Sequence, residues 1–209
     1  MKKKRVLACL LAVILFVSSI GLAAGAEEEN TKEDTLAAPS AILMEANTGM
    51  ILYEKNPDEK RPCASITKVM TLLLVMEALD DGKIALSDMV SASEHAASMG
   101  GSDIWLKPGE SMSVDDLLKA TVIASANDAA VALAEYVSGS EEAFLNQMNQ
   151  RAKELGMTNT VFKNCNGLDE EGHVTTARDV AIMSRELIKH KKIFDYSQTW
   201  ISGMARPSW

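Results

Sequence analysis

Apolar residues fall into two kinds of segment along the chain. Residues 40–56, SAILMEANTGMILYEKN, place apolar residues on both sides of the tripeptide 47–49 (NTG), and this pattern predicts two strands around a glycine-containing turn. Residues 65–83, SITKVMTLLLVMEALDDGK, are mostly apolar and predict a helix that ends near Gly82. The pattern therefore predicts a hairpin followed by a long helix.

Further helices are predicted in quick succession after residue 110. Ser113 and Asp116 form a Ser-x-x-Asp capping pattern at the start of the first one. Some of the others close at a glycine, which is typical of a helix end. Some are amphipathic, which is typical of a half-buried helix. The predicted helices cover 113–125, 127–139, 140–156 and 175–190, whereas 93–110 is predicted to be irregular and 158–168 to hold a short strand and a turn. The block after the hairpin is therefore largely helical.

The first 26 residues have the composition of a signal peptide. MKKKR is positively charged, an apolar segment follows, and AGA at 24–26 offers the small residues of a cleavage site. The apolar segment is close to the length of a membrane span, so an uncleaved anchor is the alternative. Residues 27–37 are acidic and polar and predict a disordered leader. The predicted folded domain then covers 38–209.

Charge and cysteine content narrow the function classes. Removal of residues 1–26 leaves 17 basic and 29 acidic residues and a net charge of −12. Such a surface repels polyanions, so the sequence argues against a nucleic acid partner. Only Cys63 and Cys165 remain after cleavage. Two cysteines are no disulfide framework, and we expect both to stay unpaired.

Ser65 and Lys68 are the first candidates for catalysis. They stand at the predicted start of a helix, where residues i and i+3 share one face, so the lysine amine can reach the serine hydroxyl. A neutral Lys68 could take the proton of Ser65, and the free N–H of Ser65 at the helix end could donate to an oxyanion. The alternative is a serine that caps the helix beside a solvated lysine.

The second candidate is the triplet Ser125-Ala126-Asn127, which falls between two predicted helices. A tight turn at this place could point both polar side chains into a cleft. There the hydroxyl of Ser125 could relay a proton, and the amide of Asn127 could hold a peptide. Serine and asparagine also favour helix starts, so simple capping is the alternative.

The two motifs, in this order and spacing, resemble those of the serine penicillin-recognising enzymes. The similarity extends to PCASITKVMT, MNQRAKELGMTNTVFKNCNGL and HVTTARD and to the whole of 109–144. Over residues 37–195 the chain resembles the low-molecular-mass D-alanyl-D-alanine carboxypeptidases, serine peptidases that trim peptidoglycan stem peptides. The resemblance implies their α+β fold, shared with β-lactamases, in which an antiparallel sheet packs against helices and the site lies next to a helical lobe. Residues 38–209 would be the N-terminal part of this catalytic domain.

The resemblance also implies roles for four residues. Ser65 would be the acylated nucleophile, Lys68 its general base and Ser125 a proton shuttle, while Asn127 would contact the bound peptide or β-lactam. The implied reaction removes the terminal D-alanine from a stem pentapeptide through a Ser65 acyl-enzyme. No cofactor and no metal are implied. The implied partners are the stem peptide and β-lactam antibiotics in the extracytoplasmic cell envelope, with peripheral membrane contact expected only of a full-length form.

A class A β-lactamase shares both motifs and is the nearest alternative enzyme. That family activates its deacylating water with a glutamate in a Glu-x-x-Leu-Asn stretch, and residues 142–146 read EAFLN. This stretch stands soon after Ser125 and inside an amphipathic helix, so we predict that Glu142 is an ordinary acid of a first helical turn. The three histidines show no metal-ligand spacing, and we expect His173 to fix a turn.

The family carries a third motif, Lys-Thr-Gly or Lys-Ser-Gly, on a strand that faces the nucleophile. The sequence contains no such triplet, and its last residues, ISGMARPSW, look unlike the family, as in a truncated reading frame. A cation from that motif would bind the substrate carboxylate and help to keep Lys68 neutral. We therefore expect weak turnover from the chain as written. An inactive fragment or a non-catalytic peptidoglycan-binding remnant is the alternative.

Overall fold

The computed structural model of the chain describes residues 36–199 and residue 203. The predicted signal peptide and most of the predicted leader lie outside these residues. The helices are α1 (Lys68–Asp80), α2 (Glu94–Ala97), α3 (Val114–Ile123), α4 (Asn127–Ser138), α5 (Glu141–Glu154), α6 (Ala177–Leu187) and α7 (Ile193–Ser197), and a 3-10 turn, Ala64–Thr67, precedes α1. The strands are β1 (Ala41–Met44), β2 (Ile51–Lys55), β3 (Arg61–Pro62), β4 (Met89–Ser91), β5 (Ser111–Ser113) and β6 (Val174–Thr175). Among the described helices, none is long and apolar enough to cross a bilayer.

The predicted hairpin is confirmed as the pair of β1 and β2. The two strands run antiparallel, with one irregularity in their register near the turn. Gly49 in the turn has a φ of +76°, a conformation that glycine adopts without strain. Arg185 of α6 donates to the backbone carbonyls of Ala46 and Asn47 at 2.8 and 2.7 Å. Helix α6 therefore holds the turn in place.

The core lies around α1 and α4. Helix α1 is buried on most sides, with Met70, Leu73 and Val75 fully inside. Residues 127–134 of α4 are all buried, because alanine dominates this stretch and lets neighbouring helices approach closely. Helix α4 packs on α1, α3 and α5. Its first residues therefore lie in the interior, next to the start of α1.

The predicted helix boundaries after residue 110 are confirmed by their caps. The Ser113 hydroxyl accepts a hydrogen bond from the Asp116 N–H at 3.1 Å, at the start of α3. Gly139 follows α4 in the left-handed region, at a φ of +83°, as expected for a glycine that ends a helix. The turn chemistry of the sequence therefore fixes where these helices begin and end.

The smaller elements differ from the prediction. The structure adds four strands, which pair as β3 with β6 and β4 with β5. Each has only two or three residues, too few for a period-two pattern to be visible. The segment 93–110, predicted to be irregular, contains the single turn α2, and α7 follows the helix predicted to be last. The strand predicted in 158–168 is reduced to one bridge between Val161 and Val174.

Cys63 and Cys165, the two cysteines within the described residues, are free and buried. Burial raises the pKa of Cys63 to about 11. Burial also raises the pKa of Cys165 well above its usual range. Both side chains are therefore protonated thiols at neutral pH.

Candidate active site

Ser65 lies in the 3-10 turn that leads into α1. It is exposed, and Cys63 occupies the cap position of the turn, so the Ser65 hydroxyl does not act as a helix cap. In a 3-10 helix, residues i and i+3 stand directly above one another. This geometry brings Lys68 over Ser65, with 3.4 Å between the lysine amine and the serine hydroxyl oxygen. The turn therefore aligns the two predicted catalytic side chains.

Gly167 packs against the backbone of this turn. It has a φ of +91°, and a Cβ atom there would lie 2.0 Å from the Ala64 carbonyl oxygen and 2.9 Å from the Ser65 nitrogen. Contacts this short exclude any side chain, so only glycine allows the two backbones to approach. Ala64 has a φ of +44°, an unfavourable value for alanine. The backbone just before Ser65 is therefore strained and held by its neighbours.

Lys68 is 4% exposed, and its amine contacts three acceptors. They are the Ser65 hydroxyl, the Asn127 Oδ1 at 2.6 Å and the backbone carbonyl of Asn166 at 2.6 Å. Burial lowers the pKa of Lys68 to about 8. At pH 7 about a tenth of the lysine is therefore neutral and able to accept a proton.

The turn between α3 and α4 brings Asn127 to Lys68. The Asn127 Nδ2 donates to the Gly100 carbonyl at 2.6 Å while its Oδ1 accepts from Lys68, so the amide is engaged at both ends. Ser125, two residues earlier, is half-buried and has a φ of +54°. Its hydroxyl has no hydrogen-bond partner in the part of the chain that the structure describes. The structure thus joins Asn127 directly to Lys68, whereas Ser125 only shares the same turn.

Asn166, which belongs to the loop 164–168, is a site residue that the sequence did not predict. Two side chains shape this loop, because Asn164 Oδ1 accepts from the Gly167 N–H at 2.7 Å and Asn166 Oδ1 accepts from the Leu168 N–H at 2.9 Å. These turns present the Asn166 carbonyl to the lysine amine. The Asn-x-Asn-Gly sequence is typical of turns, but it does not reveal which group the turn would face.

The prediction that His173 fixes a turn is confirmed. Its Nδ1 accepts from the Lys163 N–H at 3.4 Å, which leaves the Nε2 proton for the Thr67 hydroxyl at 2.7 Å. Burial lowers the pKa of His173. The histidine therefore ties the loop that begins at Lys163 to the turn that carries Ser65. Within residues 36–199, no group of three or more His, Cys, Asp and Glu side chains is arranged to hold a metal ion.

The prediction for Glu142 is also confirmed. It is an exposed acid in the first turn of α5, while Phe144 and Met148 of the same helix are fully buried. The cavity beside Ser65 is lined by other segments. An open cavity of about 460 Å³ is lined by residues 62–64 and 167–174, and the first of these segments ends next to Ser65.

Comparison with known proteins agrees with this fold. The crystal structure of the D-alanyl-D-alanine carboxypeptidase DacD from Francisella tularensis has a TM-score of 0.75 and 40% sequence identity, covering 78% of this chain and 40% of that chain. The fold is therefore that of the penicillin-recognising serine peptidases, and the α+β prediction is confirmed. The family model for D-alanyl-D-alanine carboxypeptidase, peptidase S11, matches residues 27–205. The chain belongs to this family.

Two curated relatives give the extent of the similarity. D-alanyl-D-alanine carboxypeptidase DacF of Bacillus subtilis is 52% identical over 199 residues, which are 94% of this chain and 51% of that protein. D-alanyl-D-alanine carboxypeptidase DacC of Escherichia coli is 47% identical over 167 residues, which are 75% of this chain and 42% of that protein. The chain thus spans about half the length of the curated relatives it matches.

Proposed function

We propose that the chain carries the acylation site of a serine D-Ala-D-Ala carboxypeptidase. The observation that carries this proposal is the 3.4 Å contact between the buried Lys68 amine and the exposed Ser65 hydroxyl. A lysine with a pKa of about 8 can act as a base near neutral pH, because a useful fraction is unprotonated. Family membership supplies the substrate class, stem peptides of peptidoglycan that end in D-Ala-D-Ala.

The proposed reaction begins with the neutral form of Lys68. Its amine takes the hydroxyl proton as the Ser65 oxygen attacks the carbonyl carbon of the penultimate D-alanine. The Ser65 N–H donates to the oxyanion that forms. The C–N bond then breaks, the proton passes to the amine of the leaving D-alanine, and an ester remains on Ser65. Water hydrolyses this ester with Lys68 again as base, which releases the shortened peptide and restores the serine.

Asn127 and Ser125 complete the proposed site. A neutral Lys68 can still donate its two N–H groups to Asn127 and Asn166, and its lone pair can accept the hydrogen of the Ser65 hydroxyl. Asn127 would also contact the bound peptide. The Ser125 hydroxyl would carry the proton between Lys68 and the leaving amine.

The same nucleophile would open the ring of a β-lactam, because the lactam amide takes the place of the scissile peptide bond. The proposed location is the extracytoplasmic cell envelope, where peptidoglycan lies, and the signal-peptide composition of residues 1–26 supports it. The acidic net charge supports a partner other than nucleic acid. For the full-length form we include peripheral membrane contact in the proposal.

Labelling of the purified chain with fluorescent penicillin, followed by peptide mass spectrometry, tests the proposal. We expect one adduct, on Ser65, and none on the Ser65→Ala variant. Labelling of Lys68→Ala should be slower by about 100-fold or more, because the base and the nucleophile act as a unit. Ser87→Ala changes an exposed serine outside the site and should label like the parent chain.

Two outcomes would contradict this proposal. One is an adduct that persists in Ser65→Ala. The other is a parent chain that forms no adduct at all. In that second case, retention of the chain on purified peptidoglycan would favour the non-catalytic binding role.

A further inference from the structure

Glu141 in the first turn of α5 directs its carboxylate to the loop 164–168. Its Oε1 accepts from the Cys165 N–H at 3.1 Å, and its Oε2 lies 2.6 Å from the His95 Nε2 of α2. Only 18% of the Glu141 side chain is exposed, whereas the adjacent Glu142 is exposed. Two neighbouring acids of one helical turn thus have different surroundings.

The contacts of Glu141 lead to the catalytic base through one residue. The Cys165 carbonyl accepts from the Thr71 hydroxyl of α1 at 2.6 Å, so Cys165 is held at its N–H and at its carbonyl. The next carbonyl in the chain, that of Asn166, accepts from the Lys68 amine at 2.6 Å. Only the two backbone dihedrals of Asn166 lie between the held Cys165 carbonyl and the Asn166 carbonyl, and Asn164 Oδ1 holds the Gly167 N–H of the planar peptide unit to which the Asn166 carbonyl belongs.

We infer that Glu141 is a positioning residue for the general base, because it holds Cys165 so that the Asn166 carbonyl stays on the Lys68 amine. The role of Lys68 as base rests on the proposed function, but the contact itself can be tested without catalysis. The Asn166 carbonyl stabilises the ammonium form of Lys68. Release of the loop therefore removes one of three acceptors and lowers the pKa of the lysine.

Few titratable groups surround Lys68 and Glu141. Asp103 and Cys165 face Lys68, and His95 and Cys165 face Glu141. Burial acts to raise the pKa of Glu141, but the hydrogen bonds from His95 and Cys165 outweigh it, and the pKa is lowered. The carboxylate is therefore ionised at neutral pH. A change at this position alters both a charge and a hydrogen bond, and the two have to be separated.

Two substitutions separate the reach of the side chain from its charge. Glu141→Asp keeps the charge but is one methylene shorter, so it should lose the hydrogen bond from the Cys165 N–H. Glu141→Gln loses the charge but keeps an oxygen that can accept from the Cys165 N–H. Glu142→Ala removes an exposed acid from the same helical turn and is the matched control. Positioning and long-range charge therefore predict opposite rankings of the Asp and Gln variants.

The measurement is the pKa of Lys68, read from the side-chain nitrogen NMR signal of the purified chain and assigned by its absence in Lys68→Arg. We expect the pKa to fall by about one unit in Glu141→Asp, since a hydrogen bond to a charged group is lost. Glu141→Gln and Glu142→Ala should match the parent. An unchanged or raised pKa in Glu141→Asp, or an equal fall in Glu141→Gln, overturns the inference. Penicillin labelling of Ser65 is recorded separately, so a failure of the proposed function leaves this result readable.

Discussion

Two consecutive helices begin with an acid that binds the backbone of a loop, and the two acids differ in burial. Asp128 in the first turn of α4 is 1% exposed and accepts from the Ile104 and Leu106 N–H groups at 3.2 and 2.9 Å. Glu141 in the first turn of α5 is 18% exposed at its side chain and accepts one backbone N–H, that of Cys165. The first acid is an interior anchor, and the second lies at the edge of the interior.

Hydrogen bonds connect both loops to Lys68, one indirectly and one directly. The loop held by Asp128 supplies the Gly100 carbonyl to Asn127, and Asn127 contacts the lysine amine. The loop held by Glu141 contacts the amine directly, through the Asn166 carbonyl. We therefore expect the first anchor to matter mainly for stability, and the second to influence Lys68 without unfolding the chain.

The largest loss of stability that this contrast predicts is that of Asp128→Ala. The substitution leaves the buried N–H groups of Ile104 and Leu106 without acceptors, and it removes hydrogen bonds to a charged group. We expect the free energy of unfolding to fall by about 5 kcal/mol. The measurement is equilibrium unfolding in urea, followed by circular dichroism.

Two controls sharpen this prediction. Asp128→Asn keeps one acceptor oxygen and should lose about half as much stability. Glu142→Ala removes an exposed first-turn acid, and it should cost less than about 1 kcal/mol, the usual size of a helix-dipole interaction. If Asp128→Ala costs no more than Glu142→Ala, the distinction between an interior anchor and an ordinary first-turn acid is wrong.

Local sequence patterns predict the larger elements of this fold. The hairpin follows from apolar residues around a glycine turn, and α4 follows from an alanine-rich segment that closes at Gly139. These elements form for reasons contained in a few neighbouring residues. The strands of β4 and β5 have three residues each, and they pair across some twenty intervening residues. Their pairing depends on packing that no local pattern encodes.

The contacts of the site are also of two kinds, local ones and ones between distant parts of the sequence. Ser65 and Lys68 are joined by the period of one turn, so their contact could be predicted from spacing. The contact between Lys68 and Asn166 joins residues 98 positions apart, and it could not be predicted in that way. Glu141 looked no different from Glu142 in the sequence, because the register of α5 against its neighbours decides which of the two is turned inward.

The next largest effect should come from the second loop, at Gly167. In Gly167→Ala the new methyl group would meet the Ala64 carbonyl oxygen at 2.0 Å, so one of the two backbones has to move. We expect a loss of about 4 kcal/mol in the free energy of unfolding, together with slower penicillin labelling of Ser65. The same urea unfolding experiment measures the first quantity.

Gly109 supplies the matched control for this change. It also has a left-handed φ, +78°, but a Cβ atom there would have nothing within 4 Å. Gly109→Ala should therefore cost only the conformational strain, about 1 kcal/mol. Equal losses in the free energy of unfolding from the two alanine variants would show that close packing against the turn of Ser65 is not what requires Gly167.

The smallest predicted effect is a pH dependence of the free energy of unfolding. It comes from Lys68, to which hydrogen bonds connect both loops. The pKa of Lys68 is about 8 in the folded chain and about 10.4 in the unfolded chain. Between these values the unfolded state binds more protons, so the free energy of unfolding rises with pH. The total gain is about 3 kcal/mol, which is complete above about pH 10.4 and is lost as the pH falls through about 8.

The buried thiols of Cys63 and Cys165 act in the opposite direction, because their raised pKa values keep them protonated in the folded chain while they ionise in the unfolded one. The quantity to measure is therefore the difference in free energy of unfolding between the parent and Lys68→Met, in which the thiols cancel. Urea unfolding at about pH 7 and about pH 10.5 gives this difference, and we expect it to rise by about 3 kcal/mol. A difference that stays constant would mean that Lys68 keeps an ordinary pKa between the two loops. The lysine would then be a poor base for Ser65 at neutral pH, however well either acid holds its loop.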